Sequence, residues 1–148
     1  MTNTPLLATS LCLGLLVASC GGPPQPAVPT AAPAAWSNEL SREEKTAFMK
    51  VHVEPRMSKV FKEMDPTRHA DFGCKTCHGP VIGFPRDFLP KLAMQEGKLT
   101  AFADKPQVAK FMAEKVVPEM ASILGKPPFD PATKQGFGCK GCHTIDMK

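Results

Sequence analysis

The segment that decides the fold is Phe72-Gly73-Cys74-Lys75-Thr76-Cys77-His78, and it recurs as Phe137-Gly138-Cys139-Lys140-Gly141-Cys142-His143. In each copy two cysteines stand three positions apart, and a histidine directly follows the second cysteine. A tight turn with this C-x-x-C-H pattern offers two sulfur nucleophiles and one imidazole from the same short stretch of chain. The two copies therefore predict two sites of similar chemistry.

Covalent haem attachment is the chemistry that needs all three groups at once. Two thiols reach the two vinyl groups of one porphyrin, and the imidazole enters the iron from the same side. The motifs thus predict two haem c groups. The predicted thioether residues are Cys74, Cys77, Cys139 and Cys142, and the predicted proximal iron ligands are His78 and His143.

Two other chemistries use paired cysteines and stay open as alternatives. Four cysteines and two histidines could bind zinc, but the two pairs lie 65 residues apart and each histidine adjoins its second cysteine, which is poor geometry for one tetrahedral ion. A thioredoxin-like dithiol would follow a strand and precede a helix, and the sequence indicates neither.

An internal repeat surrounds the motifs. Phe48-Met49, Val53, Pro55 and Met57 recur 63 positions later as Phe111-Met112, Val116, Pro118 and Met120. The capping-box patterns Ser41-x-x-Glu44 and Asp104-x-x-Gln107 stand at the same offset. The predicted fold class is therefore all-α, with two repeated helix-loop-CxxCH haem-binding units at about 41–79 and about 104–144 and little or no β-sheet.

The pattern predicts one helix from about Arg42 to Met64 with a kink at Pro55, and another from about Lys105 to Leu124 with a kink at Pro118. A short helix is expected from Phe88 to Gln95, capped by Asp87. No stretch alternates in the manner of a half-buried strand.

Methionines that correspond in the two copies are the candidates for the sixth iron ligand. Met57 and Met120 lie just past the two prolines, and we expect them to complete the irons. Met49 and Met112 also correspond and are the alternative pair, although eight residues on an ideal helix turn through about 80°, so one pair should face elsewhere. The plainer interpretation is that all four are core methionines.

The first 35 residues differ in composition from the rest. No charged side chain precedes Glu39, and the apolar run from Leu6 to Val17 is too short for a membrane span, so 1–19 is predicted to be a signal peptide. Val17-Ala18-Ser19-Cys20 is typical of a bacterial lipobox, which makes Cys20 the expected lipidation site. The Pro/Ala-rich remainder of 20–35 is predicted to be a disordered tether. Residues 36–148 are predicted to form a dihaem cytochrome c domain.

With these motifs the chain resembles small multihaem c-type lipoproteins, whose haem-binding unit is a helix with an axial Met, a loop and C-x-x-C-H. The unit is similar to the one repeated in the cytochrome subunit of photosynthetic reaction centres. The resemblance covers about Ser41 to His143, with fewer units and longer loops between Met and Cys in this chain. It implies thioethers at the four motif cysteines, proximal ligation by His78 and His143, and axial ligation by Met57 and Met120.

The expected function is a lipid-anchored dihaem electron carrier, not an enzyme, exported to the periplasm or the cell surface of a bacterium. A net charge of +4 without a long basic block argues against nucleic acid as a partner and leaves redox proteins and, through the lipid, a membrane. The alternative is a haem enzyme or a sensor of gas or peroxide with one five-coordinate iron, in which His52 or His69 would assist on the open side.

Overall fold

The computed structural model describes residues 31–147; the predicted signal peptide 1–19, the predicted lipidation site Cys20 and most of the predicted tether 20–35 lie outside this range. Two long helices at 42–64 and 106–123 form the centre of the described part. Its helices are α1 (Arg42–Phe48), α2 (Glu54–Met64), α3 (Cys74–His78), α4 (Pro85–Phe88), α5 (Ala101–Asp104), α6 (Pro106–Phe111) and α7 (Val117–Ile123), and its strands are β1 (Leu92–Gln95), β2 (Lys98–Leu99) and β3 (Ile145–Met147).

The two long helices begin differently. At the first, the predicted capping box is confirmed: Ser41 N donates to Glu44 Oε2 at 2.8 Å and Glu44 N donates to Ser41 Oγ at 3.2 Å. At the second, Asp104 ends the separate helix α5, and α6 starts at Pro106 with no side-chain cap bond. The predicted capping box at Asp104 is therefore wrong. Proline at the first helical position takes its place, because its φ is preset and it has no N–H to satisfy.

Each long helix contains a five-residue π-helical segment, Met49–Val53 in the first and Met112–Val116 in the second. Each lies just before a proline, Pro55 or Pro118, at the point where the sequence predicts a kink. Proline cannot donate to the carbonyl four residues earlier, and the preceding turn widens to bonds over five residues, as when Glu54 N donates to Met49 O.

The π segment changes which side chains share a face. Phe48 and Met57 are nine residues apart and would point about 180° apart on a straight α-helix at about 100° per residue. One extra residue in the widened turn reduces that angle to about 80°. Both side chains are accordingly buried, at 1% and 3% exposure.

The core lies between the two long helices and is small. In the described part of the chain the buried apolar side chains are Phe48, Met57, Phe61, Ala121 and Ile123. The Phe61 and Phe111 rings meet edge to face with centroids 5.3 Å apart, and Arg56 Nε donates to Glu119 Oε1 at the rim. The packing therefore joins equivalent segments of the two long helices.

The prediction of an all-α fold is wrong, because β2, β1 and β3 form a three-stranded mixed sheet. β1 and β2 are antiparallel and joined by Glu96-Gly97, both at positive φ (49° and 73°), as a two-residue hairpin turn requires. The predicted helix from Phe88 to Gln95 is wrong for the same reason: α4 ends at Phe88 and β1 follows. β3 then pairs in parallel with β1, from Leu92 opposite Ile145 to Met94 opposite Met147.

Two equivalent haem-binding units, as the repeat predicts, are also not what the structure shows. The first C-x-x-C-H segment forms the α-helix α3, whereas the second forms a 3-10 helix at Cys139–Gly141 and leads into β3. The long helices match in form, but the segments that follow them do not. The class is mixed, with helices and a small sheet.

Candidate haem-attachment sites

The two C-x-x-C-H segments lie near one another, although 65 residues separate them in the chain. The pairing of β3 with β1 brings the end of the second segment to the stretch that follows the first, and Leu92 N donates to Thr144 O at 2.9 Å. Burial raises the pKa of Cys77 to about 11, and the charge of the neighbouring Cys142 adds to the shift. The strand pairing therefore joins the parts of the chain around the two motifs, and the shift at Cys77 includes an effect of Cys142.

The first segment is docked on α2. Phe72 stacks on Phe61 with ring centroids 5.0 Å apart, and Thr76 Oγ1 accepts from Gly73 N at 3.1 Å inside the turn. The Cys74 thiol donates to Glu54 Oε2 at 3.0 Å. This hydrogen bond is the main cause that raises the pKa of Cys74, ahead of burial.

The second segment is held by a different set of contacts. Phe129 N donates to Phe137 O and Phe137 N donates to Pro127 O, both at 2.8 Å, so the chain after α7 pairs with the residues before the motif. Gly141 stands where the first motif has Thr76, and a Cβ there would come within 2.4 Å of Phe137 Cε2. Burial is the first cause that raises the pKa of both Cys139 and Cys142.

Both motif histidines use the same ring nitrogen in the same way. His78 Nδ1 pairs with the carbonyl oxygen of Gly83 at 2.5 Å, and His143 Nδ1 pairs with that of Pro90 at 2.9 Å. A carbonyl oxygen can only accept, so Nδ1 is the donor, and in the neutral ring Nε2 is then the nitrogen with a free lone pair. This is the arrangement of a metal-binding histidine, whose second nitrogen is fixed by an outer hydrogen bond.

The thiols and the apolar surface also fit a haem group. Cys74, Cys77, Cys139 and Cys142 are all free and partly buried. Four of the ten large apolar side chains that stand exposed in the described part follow His78 closely, at Val81, Ile82, Phe84 and Phe88. Exposed apolar side chains gathered in one stretch are typical of a surface that a ligand, a partner protein or a membrane covers.

The predicted axial methionines occupy different depths. Met57 belongs to the core cluster with Phe48 and Phe61, and Met120 packs against that cluster while partly exposed. Met57 lies three residues after Glu54 and therefore on the same face of the helix. From this face Glu54 contacts Cys74. Met112, of the alternative pair, packs against the same core, so the ideal-helix argument that separated the pairs does not hold for a helix with a π segment.

The two histidines outside the motifs are engaged elsewhere. His52 Nε2 lies 3.0 Å from the carbonyl oxygen of Pro33, and its ring packs on Phe48 at 4.7 Å. The His69 ring meets the edge of Phe61 at 5.0 Å.

Within residues 31–147, no three His, Cys, Asp or Glu side chains are grouped so that they could hold a metal ion by themselves. A haem iron needs only one or two protein ligands, because the porphyrin supplies the others. In the same range no helix is both long and apolar enough to cross a membrane.

Sequence reasoning missed three groups of the sites: Glu54 and the carbonyls of Gly83 and Pro90. A backbone carbonyl leaves no mark in the sequence. The sequence did not point to Glu54 either, because the residue 63 positions later is Val117, so the repeat does not include this position.

Comparison of the chain with protein family models, with curated proteins and with solved structures finds no match.

Proposed function

We propose that the protein is a dihaem c-type cytochrome that carries single electrons between redox partners. The observation that carries the proposal is the shared state of His78 and His143, in which Nδ1 is bound to a carbonyl and Nε2 is left as a ligand. The same short segment contains two free thiols in each case.

Each residue of the sites has a distinct role in the proposal. Cys74 and Cys77 tether one haem and Cys139 and Cys142 the other, so neither can be lost by dilution. His78 and His143 ligate the irons, and Met57 and Met120 are proposed as the sixth ligands. A bound haem iron would alternate between the ferric and ferrous states and so hold one electron per site.

Export and anchoring complete the proposal. The apolar segment before Cys20 and the sequence Val17-Ala18-Ser19-Cys20 support a signal peptide followed by a lipid on Cys20. The cytochrome would then face the periplasm or the cell surface, tied to a membrane by its lipid and a Pro/Ala-rich tether, and would meet its partners through small, brief contacts.

The test is the visible spectrum of the purified oxidised protein, produced with a c-type haem maturation system, beside Met57→Ala and Met120→Ala. We expect a c-type spectrum, with a far-red Met-to-ferric-iron band that loses part of its intensity in each variant. Absence of that band from the wild type would contradict the axial assignment, and absence of covalent haem would contradict the function.

Carbon monoxide separates the carrier from the haem enzyme or sensor. With both irons six-coordinate, the reduced wild-type protein binds the gas slowly, and Met57→Ala or Met120→Ala opens one iron to rapid binding. Rapid binding by the wild type at neutral pH would favour the enzyme or sensor.

A further inference from the structure

We infer that Glu54 makes the two haem sites unequal, by giving the site at Cys74 a lower reduction potential than the site at Cys139. The inference rests on the proposed function, because it concerns how the two proposed haems share electrons. Its basis is the contact between Glu54 Oε2 and Cys74 Sγ at 3.0 Å.

The two long helices differ at structurally matching positions. Glu54 is the first residue after the π segment Met49–Val53 and directly precedes Pro55. Val117 is the first residue after the π segment Met112–Val116 and directly precedes Pro118. One helix therefore presents a carboxylate, and the other an apolar side chain, at the same point of its course.

The contact persists in a different form once haem is attached. A thiol that adds across a vinyl group gives its sulfur to one vinyl carbon and a hydrogen to the other, so no S–H remains at Cys74. Glu54 then loses its hydrogen-bond donor and keeps its charge beside the thioether. The ferrous haem carries one more negative charge than the ferric haem. A half-buried negative charge next to the haem therefore favours the ferric state.

Lys50 carries the opposing charge in this region, since it lowers the pKa of Cys74 whereas Glu54 raises it. Its side chain is exposed, whereas Glu54 is half-buried and touches the cysteine. Screening by water weakens an exposed charge far more than a close, partly buried one. The carboxylate therefore dominates, and at half reduction the electron resides mainly on the haem at Cys139.

The test is a redox titration of the full haem-loaded protein, followed by its visible spectrum, for the wild type, Glu54→Gln and the control Glu63→Gln. The wild type should show two separate one-electron steps. Glu54→Gln should raise the lower potential by more than the higher one, which shifts the electron equilibrium between the sites on the order of tenfold, or ~59 mV for one electron. Glu63→Gln removes an exposed carboxylate from the same helix and should leave both potentials in place.

Haem content and far-ultraviolet circular dichroism show whether each variant is loaded and folded. A loaded wild type with two equal potentials, a Glu54→Gln variant that changes neither step, or one that moves the higher step as much as the lower would overturn the inference while leaving the dihaem function intact. A protein without covalent haem would overturn both. Should Glu54→Gln fail to fold, Glu54→Ala decides instead, since an unchanged lower potential in that variant contradicts the role assigned to the carboxylate here.

Discussion

Single side chains account for much of the difference between the two C-x-x-C-H segments. Thr76 closes the first turn through its hydroxyl, whereas Gly141 leaves room for the Phe137 ring in the second. Glu54 contacts Cys74, and its counterpart Val117 has no charge. These differences are visible in the sequence as residue types, but their meaning depends on which side chains the fold brings together.

Burial of Cys77 leads to a prediction for the haem-free chain under reducing conditions. Its pKa in the folded state is about 11, compared with an ordinary value of 9.0, so the unfolded chain gives up this proton first as the pH rises. The stability contributed by the neutral thiol is complete below pH 9 and is lost as the pH approaches 11. Urea unfolding at pH 8, 9, 10 and 11 should therefore give a falling free energy of unfolding.

Cys77→Ala is the matched control for this prediction. It removes one thiol whose pKa is raised and leaves the other three, so its free energy of unfolding should fall less over the same interval. The chain contains no tyrosine, which removes one other group that titrates there. Equal losses in the wild type and the variant would contradict the effect of burial at Cys77.

At the scale of elements, the π segments determine which side chains share a face of each long helix. The sheet determines where the second motif lies. The capping box at Ser41 and the approximate extent of both helices could be predicted from local pattern. The π segments could be suspected only from the prolines. The sheet could not be predicted, because β1, β2 and β3 have four residues or fewer and β3 pairs with a strand about 50 residues away in the chain.

Gly136, in the turn before the second motif, gives a prediction for this element. Its φ is 94°, and a Cβ there would stand 2.3 Å from the carbonyl oxygen of Pro128. Gly136→Ala should therefore destabilise the protein by about 3 kcal/mol or more, since the backbone strain adds to an overlap that only the backbone can relieve.

Gly97→Ala is its control, because Gly97 also has a positive φ of 73° but a Cβ there meets nothing within 4 Å. Its cost should be limited to the strain, about 1–2 kcal/mol. Chemical denaturation of both variants measures the difference, and equal losses would show that the Pro128 contact does not restrict position 136.

At the scale of the whole molecule, the small core between the long helices holds the described part together. Phe48→Ala should reduce the free energy of unfolding by about 3–5 kcal/mol, because it leaves a cavity beside Met57 and Phe61. Phe102→Ala, at a ring that is 49% exposed, should cost about 1 kcal/mol or less. Thermal and urea unfolding compare the two, and a similar loss in both would contradict the location of the core.

Anchoring is a property of the whole molecule that can be tested in cells. The mature protein should fractionate with membranes and incorporate labelled fatty acid. Cys20→Ala should abolish the label and release the protein into the soluble fraction, since it removes the residue proposed to carry the lipid. Membrane association of the variant at the wild-type level would contradict a lipid on Cys20.

The residues proposed for haem attachment could be identified from the sequence alone, because the spacing of two cysteines and a histidine is a local property. The sequence was not sufficient for the groups that surround them. Pro90 reaches His143 only through strand pairing, and Glu54 reaches Cys74 only through the docking of the first segment on α2. These contacts join distant parts of the chain, and a repeat analysis emphasises what two halves share over what distinguishes them.

The most direct test of the central claim is the intact mass of the mature protein, denatured and reduced after production with a c-type haem maturation system. The account predicts a polypeptide heavier by two covalently bound haems, falling to one haem when Cys74 and Cys77, or Cys139 and Cys142, are replaced by alanine. A polypeptide with no mass added by haem, and with all four motif cysteines open to alkylation, would contradict it.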